Sequence, residues 1–413
     1  MNFNTKLLHG KSIKKYADGA TLPPISQVSA YRFDTAQEQE KVFNHRAFGF
    51  AYTRVGNPTV AAFEQRIAEL EGGSGAIAFS SGMSAITVAI LNILSTGDEI
   101  ISSGGLYGGT MDLFRDFERF GIKTRYVSHF TKEEIEKEIN DNTKIIFGET
   151  ISNPALEITD IEEVAALSHS HGIPLIIDNT TATPYLVNPL SLGADIVVHS
   201  TTKYINGSGN SVGGVIVDGG KFSWDFEKYA ALSPFKKYGK AAYSVRIRSD
   251  LGENIGGTMA PLTAYLNVIG LETLGLRMQR ICDNAKALAE ALNENKDITV
   301  NYPTLGTDHN TALAAEELKG FGGGLITIRV GSKERAYRIL NSLEYAVRAT
   351  SLGDVRTLVI HPASTLYIHS TKEEQEIAGV YDDLIRISTG IEDPEDLIED
   401  FTKAIKASDE AEN

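Results

Sequence analysis

The chain has 413 residues, 42% of them hydrophobic and 23% charged, with a formal net charge of −15. That length exceeds one compact core and predicts two domains of an ordinary globular protein. The acidic balance argues against a nucleic-acid partner, the single cysteine excludes an intrachain disulfide, and the apolar runs are too short to span a bilayer.

In chain order, residues 1–59 carry Pro23-Pro24, many polar residues and little periodicity. They predict an extended N-terminal arm with no core of its own, which contacts a neighbouring subunit. No hydrophobic signal segment opens the chain, so a cytoplasmic location without membrane partners is expected. Residues 60–258 alternate helical stretches with short β-rich runs at Ala76–Ser80, Glu99–Ser102, Thr124–Ser128, Lys144–Gly148, Pro174–Asp178, Asp195–His199 and Gly214–Asp218. Near-continuous apolar strands between helices predict an α/β fold with a mostly parallel seven-stranded sheet covered on both faces.

From Pro261 to Asn295 the pattern reads as one long helix crossing into a smaller C-terminal α/β domain, residues 259–413. Strands are predicted there at Gly324–Val330 and Leu384–Ser388, with a last helix from Pro394 to about Ala407 and a short acidic tail, Asp409 to Asn413. Cys282 falls within the long helix and reads as a small buried residue rather than a catalytic thiol. His169 and His171 lack the spacing of a metal site, so no metal is expected.

Parallel α/β sheets gather ligands at the carboxyl ends of their strands. Lys203 follows one such end, in Asp195-Ile-Val-Val-His-Ser-Thr-Thr-Lys-Tyr, and Asp178 closes another. An aldehyde cofactor needs a lysine amine for its Schiff base, and a pyridine nitrogen needs a carboxylate to stay protonated. The pair therefore points to pyridoxal 5'-phosphate (PLP). Ser80-Ser81-Gly82-Met83-Ser84 precedes a helix predicted to begin near Ala85 and can cradle a phosphate, although it also reads as an ordinary helix cap. Tyr107 can stack on a ring; its flanking glycines also suit a turn. Asn153 can bond the cofactor's phenolic oxygen or a substrate carboxylate, and it also reads as an Asn-Pro turn. Ser200 and Thr202 offer hydroxyls to the phosphate. The segment Gly207-Ser-Gly-Asn-Ser-Val-Gly-Gly departs from the dinucleotide fingerprint and precedes a strand, which argues against NAD.

Together, Tyr52-Thr-Arg-Val-Gly-Asn-Pro-Thr, Ser81-Gly-Met-Ser-Ala, Leu106-Tyr-Gly-Gly-Thr, Asp178-Asn and Ser200-Thr-Thr-Lys-Tyr-Ile-Asn-Gly resemble the Cys/Met-metabolism family of PLP enzymes over nearly the whole chain. The resemblance implies PLP fold type I, the aspartate aminotransferase-like fold. It makes Lys203 the Schiff-base lysine, pairs Asp178 with the pyridine nitrogen and stacks Tyr107 on the ring. Ser81, Gly82, Met83, Ser200 and Thr202 then bind the phosphate, while Tyr52 and Arg54 reach the phosphate of a neighbouring subunit. Arg386 clamps the substrate α-carboxylate, with Asn153 and Ser351 beside it. The implied assembly is a homotetramer built of dimers that share active sites.

Within the family, Ser351-Leu-Gly-Asp-Val-Arg-Thr-Leu-Val-Ile-His-Pro-Ala-Ser-Thr and Gly270-Leu-Glu-Thr-Leu-Gly-Leu-Arg-Met resemble O-acetylhomoserine sulfhydrylases. Thr350 stands where cystathionine γ-lyases and synthases commonly carry a glutamate, and Gly109 replaces the cysteine of methionine γ-lyases. Leu366-Tyr-Ile-His departs from the sulfhydrylase pattern, where Thr-His is more usual. The implied activity is γ-replacement on O-acetyl-L-homoserine by sulfide or a small thiol, in methionine biosynthesis. The alternatives are a cystathionine or methionine γ-lyase and a cystathionine γ-synthase.

Overall fold

All seven predicted strands of the first sheet form; the inner ones alternate their side chains between two apolar layers, while the edge strand Lys123–Val127 is largely exposed. In the computed structural model, which describes residues 1–13, 16, 19–44 and 46–410, they are β1 (Gly75–Phe79), β2 (Glu99–Ser103), β3 (Lys123–Val127), β4 (Thr143–Glu149), β5 (Leu175–Asp178), β6 (Ile196–Ser200) and β7 (Gly214–Asp218). Their order is β1-β7-β6-β5-β4-β2-β3. Only β7 runs against its neighbours; the run from β6 to β3 is parallel. Ile145, Phe147, Ile176, Ile196 and Val198 enter one apolar cluster, while Ile146, Leu175 and Ile177 enter another on the opposite face. Fully burying such a side chain contributes about 1.5–3 kcal/mol, which is why both faces are covered by helices.

The second sheet has five strands, ordered β10 (Val347–Arg348), β11 (Leu358–Ile360), β12 (Leu384–Ser388), β9 (Leu325–Arg329) and β8 (Thr299–Asn301). β9 and β12 were legible in the sequence. The other three have two or three residues each, too few to show a period of two. The last helix, Pro394–Glu410, runs a turn beyond its predicted end, and residues 411–413 of the acidic tail lie outside the described residues.

Two other expectations need correction. The long helix is two, Pro261–Glu272 and Leu274–Asn293, broken at Thr273 (φ −109°, ψ 1°). The break follows from Arg277, whose Nη2 takes the Gly270 carbonyl at 2.7 Å and whose Nε donates to the Thr273 hydroxyl at 3.1 Å. The N-terminal segment is also not wholly extended. Residues Phe3–His9 and Ala36–Phe43 are helical, and the first of these docks on its own chain. Leu7 is buried there, Phe3 meets Tyr185 edge-on at 5.4 Å, and Lys6 Nζ donates to the Glu69 carbonyl. Cys282 is buried in the helix Leu274–Asn293 as expected, and burial pushes its thiol up, away from the reactive thiolate.

Arg277 also caps the turn that follows β6, donating to the Tyr204 carbonyl at 2.6 Å and the Ile205 carbonyl at 3.3 Å. Gly353 (φ +74°) crosses the same turn so closely that a Cβ would sit 2.5 Å from the Tyr204 nitrogen. Gly353→Ala therefore combines a left-handed backbone penalty with overpacking. The expected loss is about 2–4 kcal/mol, to be read from the midpoint of chemical denaturation. An unchanged midpoint would show that the turn yields freely.

Candidate active site

At the carboxyl edge of β4, β5 and β6 lies a cavity of about 230 Å³. Ser81, Gly82, Met83, Tyr107, Asn153, Asp178, Ser200, Thr202, Lys203, Ser351 and Arg386 all line it, so the structure gathers eleven of the thirteen residues singled out in the sequence. Tyr52 and Arg54 stand elsewhere. Tyr52 lines a larger surface cavity of about 1220 Å³ beside Phe48 and Phe50, while Arg54 donates to the Glu253 carbonyl at 2.7 Å.

The phosphate cradle forms because Ser81 caps the helix Gly82–Leu91, accepting the Ser84 N–H at 3.0 Å. The helix thus begins three residues before the predicted Ala85. Its cap uses the Ser81 hydroxyl and leaves the first-turn N–H groups of Gly82 and Met83 for an anion. Gly82 is needed for close approach, since a Cβ there would lie 2.8 Å from that of Ser200.

Lys203 Nζ donates to Ser351 Oγ at 3.1 Å. Burial first, and the Arg386 charge second, bring its amine down to about 8. Asp178 accepts the Thr180 N–H at 2.9 Å, and burial raises its carboxyl above the usual range. Arg386 donates from Nη1 to Asn153 Oδ1 at 3.0 Å and from Nη2 to the Ser351 carbonyl at 2.8 Å. Its Nε is buried without a hydrogen-bond partner, and burial brings the guanidinium down to about 10. A buried donor left unpaired is costly, and the guanidinium that carries it lines the cavity.

The sequence reading passed over Glu149. It ends β4 in register with Asp178, accepts the Tyr107 N–H at 2.8 Å, and is held well above the usual carboxylate range by burial and then by the Asp178 charge. Its signal was present, a carboxylate closing an apolar strand as Asp178 does. Tyr107 itself is pushed up, chiefly by burial. Among the described residues no group of three or more His, Cys, Asp or Glu side chains is placed to hold a metal, and no helix is long and apolar enough to cross a membrane.

The residues present fit PLP: first-turn N–H groups open to a phosphate, a buried carboxylate for the pyridine nitrogen, and an amine of lowered basicity. Such an amine and carboxylate at the carboxyl edge of a parallel sheet are what a fold type I PLP-dependent enzyme requires. The chain belongs to the Cys/Met metabolism PLP-dependent enzyme family, whose model matches residues 4–406. It is 38% identical to the homocysteine synthase of Schizosaccharomyces pombe over 98% of this chain and 99% of that one. It is 37% identical to an L-methionine gamma-lyase of Fusobacterium nucleatum, covering 97% of each. A Campylobacter jejuni protein named as an O-acetylhomoserine (thiol)-lyase superposes with a TM-score of 0.94 at 35% identity, over 98% of this chain and 100% of that one. That crystal structure holds N'-pyridoxyl-lysine-5'-monophosphate.

Proposed function

We propose that the protein exchanges the acetate of O-acetyl-L-homoserine for sulfide, giving L-homocysteine, or for a small thiol such as methanethiol, giving methionine. The observation that carries an amino-acid substrate is the Arg386 guanidinium lining the same cavity as the Lys203 amine. The similarity to a homocysteine synthase over nearly the whole of both chains supports the sulfur chemistry.

Bound in the cavity, PLP supplies an aldehyde that captures amines and a ring that withdraws electrons. The chain's own groups do the rest. The Gly82 and Met83 N–H groups and the Ser200 and Thr202 hydroxyls would hold the phosphate, and Tyr107 would pack against the ring. Asp178 keeps a proton on the pyridine nitrogen. Arg386 fixes the substrate α-carboxylate with its guanidinium, steadied by Asn153 and Ser351. Lys203, released by the substrate amine, takes the proton from Cα and later returns one. The Cγ–O bond to acetate breaks and a Cγ–S bond forms, so sulfide and ester yield homocysteine and acetate in equal amounts.

Tyr52 and Arg54 are exposed and outside the cavity of their own chain, which supports their use at the cofactor phosphate of a neighbouring subunit in a tetramer of site-sharing dimers. The domain division is residues 1–59 as the arm, 60–258 as the cofactor-binding domain and 259–413 as the C-terminal domain. The location is cytoplasmic.

The similarity to a methionine γ-lyase favours a second reading, elimination to an oxoacid, ammonia and a thiol. Holoenzyme given O-acetyl-L-homoserine and sulfide should release homocysteine in step with acetate. Oxoacid release without added sulfide, in place of homocysteine, would establish the lyase instead.

A further inference from the structure

Part of the cavity's lining is made of apolar side chains that the chemistry above does not use. The side chains of Met83, Ile86 and Leu366 are among them and belong to or pack on a single apolar cluster. Leu366 is fixed by its neighbours. Its carbonyl lies so close to Gly108 that a Cβ there would sit 2.9 Å away. The next residue, Tyr367, is buried with its hydroxyl 2.9 Å from the Leu106 carbonyl and 3.0 Å from the Asn153 carbonyl. The wall is thereby tied to both segments that carry Tyr107 and Asn153.

Two cationic side chains, Lys203 and Arg386, line the cavity among the described residues. Resting on the proposed function, the first is engaged by the cofactor, the second by the α-carboxylate, and an Arg54 contributed by a neighbouring subunit by the cofactor phosphate. A second carboxylate on the substrate, as in a succinyl ester or the distal half of cystathionine, then finds no free cation in the described lining. We propose that Leu366, with Met83 and Ile86, is the specificity wall that selects amino acids whose side chain ends in a short uncharged group. A buried carboxylate without a partner is disfavoured far more strongly than a missing methylene.

L-norleucine and L-2-aminoadipate differ in their terminal methyl and carboxylate, and neither carries a leaving group at Cγ. Their dissociation constants are read from the change in cofactor absorbance of the holoenzyme, without turnover. The wild type should prefer norleucine on the order of 100-fold. Leu366→Arg should reduce that preference by about 10-fold or more by supplying a cation, and the milder Leu366→Thr should weaken norleucine several-fold while leaving 2-aminoadipate little changed.

Equal affinity in the wild type, or an unchanged preference in the folded variants, overturns the wall. No response to either amino acid overturns both the wall and the reading of Lys203 and Arg386. Retained discrimination in a protein that makes no homocysteine leaves the wall standing and overturns the reaction alone.

Discussion

Lys203→Ala is expected to remove the yellow absorbance of the bound cofactor and to lower turnover by at least about 10⁴-fold, since one amine serves as both covalent anchor and Cα base. Far-ultraviolet circular dichroism should be unchanged, because the Nζ atom donates only to Ser351 Oγ and supports no secondary structure. An unaltered visible spectrum would refute this lysine as the anchor. The same amine sets a pH dependence. Burial and then Arg386 lower its pKa from 10.5 to about 8, so the neutral form, the one able to attack an aldehyde, is present above about 8 and lost as pH falls below it. Reconstitution of cofactor-free protein with PLP should accelerate as pH rises through that value. In Arg386→Met the repelling charge is gone and the midpoint should move upward.

Asp178→Asn is the second large effect, and its signature differs. The amide cannot hold the pyridine nitrogen in its protonated form, so the ring loses much of its electron demand. Turnover should fall on the order of 10³-fold, comparable with removing a preorganised electrostatic contact elsewhere. Lys203 remains, so the visible absorbance of the bound cofactor should persist, which separates this variant from Lys203→Ala. Turnover within a few-fold of wild type would dismiss Asp178 as the ring's partner. Glu149 adds an internal check: the Asp178 charge is the second cause of its raised carboxyl, after burial, so the substitution should bring Glu149 down.

How much of this was legible beforehand depended on length scale. Most strands of the first sheet were legible because each holds an apolar run ending near a polar residue, while the edge strand Lys123–Val127, largely exposed, was legible only as a short β-rich run. Lys203 and Asp178 were legible because each stands at the end of such a run, where ligands collect. The break at Thr273 was not, since it depends on an arginine four residues on that reaches back for a carbonyl. The helix at Phe3–His9 was missed because it holds a single buried side chain, Leu7, and is stabilised by contacts with residues far along the chain.

The sequence by itself determined the strand pattern, the candidate cofactor and nearly all of the residues that surround it, because alternation of apolar side chains and the identity of chemical groups are local properties. Only the tertiary structure decided what those groups experience. The drop in the Lys203 amine, the free Nε of Arg386, the pairing of Glu149 with Asp178, and the apolar wall at Leu366 each arise between residues distant in the chain. Burial and Coulomb energy depend on distance in space, and spacing along the chain does not fix that distance.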